Sequence, residues 1–169
     1  TALNVFTVRP YNQNDLQQLI EVYQSAFAEP PWNEAWTSEQ VIEDLELALS
    51  QEDPIVLVAG DNGTLLGMTW GYRLPLDKFP FLEGKVKSNC SYMDEIAVRG
   101  QVRKRGIGRM LGNAYLLEAR KQGMAEVALR TDERNEASMA LFNKIGFNSL
   151  ELYDPQYANR IYLSKALGG

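Results

Sequence analysis

Residues 99–110 read "RGQVRKRGIGRM", placing Arg99, Arg103, Lys104, Arg105 and Arg109 around Gly106 and Gly108 in a chain whose formal net charge is -5. Cations spaced by glycines suit an anion. Glycine lets backbone amides approach a ligand closely, and a helix that starts there adds unpaired N–H groups and the positive end of its dipole. Two phosphate-binding patterns fail on spacing. A Walker-type loop needs Lys-Ser/Thr after its last glycine, where this chain has Arg109-Met110, and a dinucleotide fingerprint needs a third glycine where Leu111 stands. The remaining pattern is Arg103-x-x-Gly106-x-Gly108.

Composition narrows the chemistry. The 169 residues contain no histidine and one cysteine, Cys90. Histidine-based triads, an internal disulfide and the usual zinc sites are excluded, and no metal is expected. An acidic balance argues against general nucleic-acid binding, which draws its affinity from neutralising many phosphates. The basic cluster therefore suits a small polyanion. No apolar run is long enough to span a bilayer and no signal-peptide layout is visible, so a cytoplasmic protein of one domain, residues 1–169, is expected.

The elements that must position this turn follow from periodicity. "NVFTVRP" predicts a strand, and "NDLQQLIEVYQSAF" a helix with Leu16, Leu19, Ile20, Tyr23 and Phe27 on one face. After the break "AEPPWNEAWT", Ser38 is the expected cap of a second helix with Val41, Ile42, Leu45 and Leu49 inside. Asn62-Gly63 predicts a tight hairpin within "PIVLVAGDNGTLLGMTWGYRL". "PLDKFPFLEGKVKSN" reads as a loop and "SYMDEIAV" as a strand. The helix after the basic turn shows Ile107, Met110, Leu111, Ala114 and Leu117 at helical spacing and ends at Gly123. "EVALRT", "NEASMALFNKI", "FNSLELY" and "RIYLSKAL" complete a strand, helix, strand, strand sequence, giving an α/β (α+β) sheet domain.

With its neighbours in order, Arg103-x-x-Gly106-x-Gly108 closely resembles the Gln/Arg-x-x-Gly-x-Gly/Ala motif of the GCN5-related N-acetyltransferase (GNAT) superfamily. "LRTDERNEASMALFNKIGF" is similar to that family's Leu…Asn-x-x-Ala-x-x-x-Tyr…Gly-Phe segment, matching at Leu129, Asn135, Gly146 and Phe147. The strong resemblance covers roughly residues 91 to 150. It implies a central mixed, mostly antiparallel sheet whose fourth and fifth strands splay, with acetyl-CoA (coenzyme A) as cofactor. In that arrangement Arg103, Lys104, Arg105, Gly106, Ile107, Gly108 and Arg109 hold the pyrophosphate. Ile96, Ala97 and Val98 line the pantetheine arm, and Asn135 and Phe142 belong to the same site.

The implied reaction is direct transfer of an acetyl group to an amine in a ternary complex. A free alkylamine has a pKa of about 10.4, so some group must take its proton. Glu95 is the first candidate base and Asp94 the second, because strand side chains alternate and the inward-facing one is not evident. The resemblance also suggests that the Val98 backbone N–H donates to the thioester carbonyl, a preorganised oxyanion donor. One departure stands out: Phe142 occupies the position where many relatives carry a tyrosine that protonates the leaving thiolate. A thiol of pKa about 8.5 leaves tolerably beside cations, and water or Tyr153 could supply the proton. Phe142 also fits ordinary core spacing with Leu141 and Ile145.

For the acceptor, Trp32, Trp36, Trp70 and Tyr72, with Glu29 and Glu34 nearby, suit a cationic amine through aromatic faces and charge. A small-molecule amine (a polyamine, amino sugar or amino-acid derivative) is the first expectation. A protein amino terminus or lysine is the second, and a catalytically weak acyl-CoA-binding regulatory protein the third. No membrane or nucleic-acid partner is expected; edge strands allow a homodimer.

Overall fold

A computed structural model describes residues 6–100 and 106–168; Arg103, Lys104 and Arg105 lie outside the described residues. The chain opens with strand β1 (Thr7–Pro10) and a turn in which Asn12 and Asp15 cap each other, leading into helix α1 (Leu16–Ala28). Helix α2 (Ser38–Ser50) is capped by Thr37, whose hydroxyl accepts from the Gln40 amide at 3.1 Å while the Gln40 side chain accepts from the Thr37 amide at 2.9 Å. The cap is thus one residue ahead of the expected Ser38. The glutamine three residues after Thr37 completes the reciprocal box and decides the position.

Strands β2 (Ile55–Asp61) and β3 (Thr64–Arg73) form the predicted hairpin, with Asn62 at φ 50° and Gly63 at φ 80°. Strand β4 (Cys90–Val98), helix α3 (Ile107–Lys121), strand β5 (Glu126–Asp132), helix α4 (Glu136–Ile145), strand β6 (Asn148–Tyr153) and strand β7 (Arg160–Ala166) follow. Residues 74–89 do more than connect. Leu82 is fully buried, and Phe79 and Phe81 pack edge-on to Tyr162, covering one face of the sheet.

The seven strands run in the order β1-β2-β3-β4-β5-β7-β6, antiparallel except for β4 and β5. Helices α3 and α4 cover one face, on a core of Ile107, Leu111, Tyr115, Leu129 and Ile145. Helices α1 and α2 cover the other, on Leu19, Tyr23, Val41, Met68 and Trp70. Two expected core residues are outside: Leu117 is 51% and Leu49 45% exposed. In α3 the buried stripe runs through Ile107, Leu111, Tyr115 and Ala119, so an aromatic and an alanine, not the third leucine, mark the inward face.

Two features of β4 position the site. Its parallel pairing with β5 stops at Tyr92 opposite Ala128, and both strands continue beyond that point without pairing. The sheet is therefore split between its fourth and fifth strands. Against β3, Glu95 lies opposite Trp70 while Met93 lies opposite Gly71, leaving Asp94 as an extra residue. This is a β-bulge, which breaks the strand's alternation of faces.

Candidate active site

The bulge turns both carboxylates to one face, Glu95 partly buried and Asp94 exposed at the mouth of a cleft. Asp94 and Glu95 line one cleft of about 320 Å³ that opens at the split. Met93 packs in the core under α3 and Ala97 in the core under α1, so the extra residue places both carboxylates on the α1/α2 side. The cleft also reaches through the sheet, because Asn135, Ser138 and Phe142 of the α4 segment share its lining with Tyr23, Phe27 and Trp36 from the α1/α2 side.

Glu95 is held well above the usual carboxylate range, first by desolvation and then by the charges of Asp94, Asp44 and Glu34. Asp94 is raised mainly by desolvation, against hydrogen bonds from Trp70 and Tyr72 that favour its ionised form. The Trp70 indole donates to Asp94 Oδ2 at 3.1 Å. Arg130, across the split, lowers both. The arrangement is a pair of carboxylates biased toward holding a proton, with one cation opposing that bias.

The expected aromatic residues divide in two. Trp32 and Trp36 line the cleft, Trp32 against Phe27 and Trp36 edge-on to Tyr23 at 5.2 Å. The Trp36 Nε1 is buried without a hydrogen-bond partner among the described residues, an unmet donor in a residue of the lining. Trp70, by contrast, is fully buried and stacks on Tyr23 at 5.5 Å. It lies beneath the cleft and meets it only through Asp94. Tyr72 behaves alike, reaching Asp94 by its hydroxyl. Glu34 lines the cleft, whereas Glu29 packs against Gly100 at the end of β4.

Toward the α3 side, the pairing of β4 with β3 exposes a row of amides. The Arg99 amide donates to Leu66, so by antiparallel parity the amides of Ala97 and Glu95 also face β3. Those of Ile96 and Val98 turn toward the opened edge. Beyond β4, Gly106 forms the start of α3 at φ 81° with no side-chain cap, and a Cβ there would meet open space. At Gly108 a Cβ would approach Leu141 of α4 at 3.2 Å, so this glycine also lets the two helices pack closely.

Asn135 caps α4, accepting from the Ser138 amide at 3.1 Å, and is buried in the cleft wall. Phe142 is buried there too, its ring 5.8 Å from that of Phe147. Tyr153 does not reach the cleft; its hydroxyl donates to Glu133 at 2.8 Å on the surface. Further lining residues were not singled out by the sequence: Tyr23, Tyr92, Arg130 and Arg160. A signal existed for Arg130, an arginine two places after buried Ala128 in "VALRT", hence on the same strand face. None existed for Arg160, which follows an irregular loop.

The acetyltransferase (GNAT) family model matches residues 16–147. A mycothiol acetyltransferase from Propionibacterium freudenreichii subsp. shermanii is 30% identical over 142 residues, covering 82% of this chain and 41% of that protein. The chain thus spans about two fifths of the length of this curated relative. Among solved structures, the PaiA N-acetyltransferase of Thermoplasma acidophilum, in complex with coenzyme A, superposes with a TM-score of 0.73 at 18% identity, covering 96% of this chain and 99% of that one. The ribosomal-protein-S18-alanine N-acetyltransferase of Escherichia coli gives 0.70 at 19% identity, covering 98% and 96%. Among the described residues, no helix is long and apolar enough to cross a membrane.

Proposed function

Because the chain belongs to the acetyltransferase (GNAT) family, we propose that it transfers the acetyl group of acetyl-CoA directly to the primary amine of a small molecule. The observation that carries this reading is the cleft through the split sheet, with backbone donors toward α3 on one side and paired carboxylates toward α1 and α2 on the other.

The residues present fit acetyl-CoA. The free edge of β4 offers the amides of Ile96 and Val98 to a pantetheine arm, and the uncapped first turn of α3 at Gly106 offers amides to a pyrophosphate. Arg109 is exposed in that turn, and Arg103, Lys104 and Arg105 precede it in sequence. Acetyl-CoA, when bound, supplies the activated thioester. On the other side, Glu95 takes the proton of the incoming ammonium. Its raised affinity for a proton, set by desolvation and by Asp94, makes it a stronger base than an ordinary carboxylate. The Val98 amide is the donor for the oxygen that gains charge.

Phe142 brings no hydroxyl to the wall. Tyr92 and Tyr23 line the same cleft, and burial holds both phenols protonated. With Thr131 and Ser138 they are the hydroxyl-bearing residues of the lining. The aromatic and acidic lining, with Trp32, Trp36, Asp94 and Glu95, supports a small cationic acceptor.

The test is a calorimetric titration with acetyl-CoA, using 3'-dephospho-CoA and ATP as controls, followed by thiol release with an amine panel. Saturable preferential binding and amine-dependent release are expected. Binding without release from any amine would favour the acyl-CoA-binding alternative, and no binding by folded protein would end the cofactor assignment. Gly106→Trp, which sets a ring over the start of α3, should weaken acetyl-CoA binding by about tenfold or more, judged by the same titration.

A further inference from the structure

Resting on the transfer reaction above, we propose that the acceptor is an amino acid-like zwitterion. Asp94 and Glu95 receive its amine, and Arg130 and Arg160 its carboxylate.

Strand parity gathers these groups on one face. Leu129 packs in the core under α3 and α4, so Arg130 projects to the opposite side. Strand β7 pairs Tyr162 with Arg130 and Arg160 with Asp132, which places Arg160 on that same side. The bulge sends Asp94 and Glu95 there as well. All four line the cleft, carboxylates on β4 and guanidiniums on β5 and β7. The two pairs face one another across the split, so one small molecule carrying both charges would meet both.

Each guanidinium is held from behind with donors to spare. Arg130 Nη1 donates to Asp154 Oδ2 at 3.1 Å. Asp154 is otherwise occupied, accepting from the Tyr162 hydroxyl at 2.6 Å and from the amides of Gln156 and Tyr157 at 2.8 and 3.0 Å. A guanidinium has five N–H donors, so this anchoring leaves several for a ligand. Arg160 lies over the Tyr157 ring, 4.2 Å from its centroid; the nearest carboxylate, Asp132 opposite it on β5, accepts from the Arg134 guanidinium at 2.8 and 3.0 Å and leaves the Arg160 donors unspent. Fixed planar cations with unspent donors match a carboxylate, whose two oxygens accept side by side. A polyamine instead brings a second ammonium toward two arginines, a like-charge contact that disfavours it.

The experiment measures kcat/KM for acetyl-CoA-dependent thiol release with matched acceptors: phenylalanine, phenylalaninamide and phenethylamine; lysine and cadaverine; and spermidine. Each amino acid should exceed its decarboxylated or amidated partner by about tenfold or more, the scale of a charge-assisted hydrogen-bond pair. In Arg160→Gln, a half-exposed position whose loss the fold should tolerate, that acid-to-amine ratio should fall toward one. Because the readout is a ratio, general damage to the enzyme does not mimic it. Equal or better use of phenethylamine, cadaverine or spermidine would overturn the zwitterion while leaving amine acetylation standing. Equal use of phenylalaninamide would overturn it in favour of a peptide amino terminus. A ratio unchanged in Arg160→Gln would overturn the assignment of the carboxylate site. No release with any amine would overturn the transfer reaction, and the acceptor with it.

Discussion

Two carboxylates in adjacent positions of a bulge titrate as a pair, so their protons leave in two steps that belong to both. Each negative charge makes the other harder to form, and Glu95 feels Asp94 directly. If Glu95 is the base, kcat/KM should rise with pH through an apparent pKa above the ordinary carboxylate range. Asp94→Asn removes one of the charges that lifts Glu95, so the acid limb should move to lower pH. Arg130→Gln removes the cation that opposes the lift, so the limb should move to higher pH. Opposite displacements in the two pH-rate profiles would identify the group, and a limb that stays put in both would exclude Glu95. Glu95→Gln should lower kcat by about 10²–10⁴-fold, the usual scale of general base catalysis. At this scale the sequence displayed the residue types but not their facing. Alternation allowed only one of Asp94 and Glu95 to turn inward, and the bulge that admits both depends on the register with Trp70 and Gly71 of β3, a partner that no local pattern names.

Strand β4 can hold its bulge because α3 clamps the strand just ahead of it. The Tyr115 hydroxyl donates to the Tyr92 carbonyl at 3.0 Å and shares a hydrogen bond with Ser91 Oγ at 2.7 Å, directly over Gly71 of β3. A Cβ on Gly71 would overlap both that hydroxyl and the Tyr92 carbonyl oxygen. Gly71→Ala should therefore destabilise the fold by about 1–3 kcal/mol, the cost of overpacking, seen as a lower urea midpoint. It should also lower kcat, since the bulge rests against the displaced clamp. Gly63→Ala is the contrasting case: its Cβ would meet nothing within 4 Å, and only the positive φ of 80° is strained. A cost of about 1 kcal/mol is expected there, with kcat intact. If both variants lose activity alike, the clamp is not what sets the bulge. The hairpin at Asn62-Gly63 was legible because its signal is two adjacent residues. The caps at Thr37 and Gly146 and the strands were nearly so, for the same reason of locality. The inward face of α3 was less legible, since Tyr115 and Ala119 carry it while exposed Leu117 imitates it. The split of β4 from β5 is a matter of non-local pairing, so only the family resemblance, not periodicity, anticipated it.

Across the whole molecule the two sides of the cleft pull stability in opposite directions with pH. Asp154, with hydrogen bonds from Arg130, Tyr162 and two amides, is lowered from 3.8 to about 2. A depressed native pKa adds stability that is present above the unfolded value and is lost as pH falls toward the native one, here between about pH 4 and pH 2. Glu95 has the reverse sign. Its native pKa lies well above the ordinary 4.5, so below that value both states carry the proton and folding is unaffected. As pH rises past 4.5 the unfolded chain releases its proton more readily than the native one, and the cost to folding grows until the native pKa is reached. A carboxyl that holds its proton beside a second carboxylate thus weakens the fold as pH rises. Glu95→Gln removes that cost, so it should raise Tm at pH 7.5 by roughly 2–4 °C for each kcal/mol relieved and leave Tm near pH 4 almost unchanged. The same variant is expected to be nearly inactive, so a gain in stability would accompany the loss of function. Calorimetric scans of both proteins at the two pH values decide the matter: an equal shift at both would mean that packing, not charge, separates them, and a lower Tm at pH 7.5 would mean that the Glu95 carboxylate is paired in the fold and cannot be the free base.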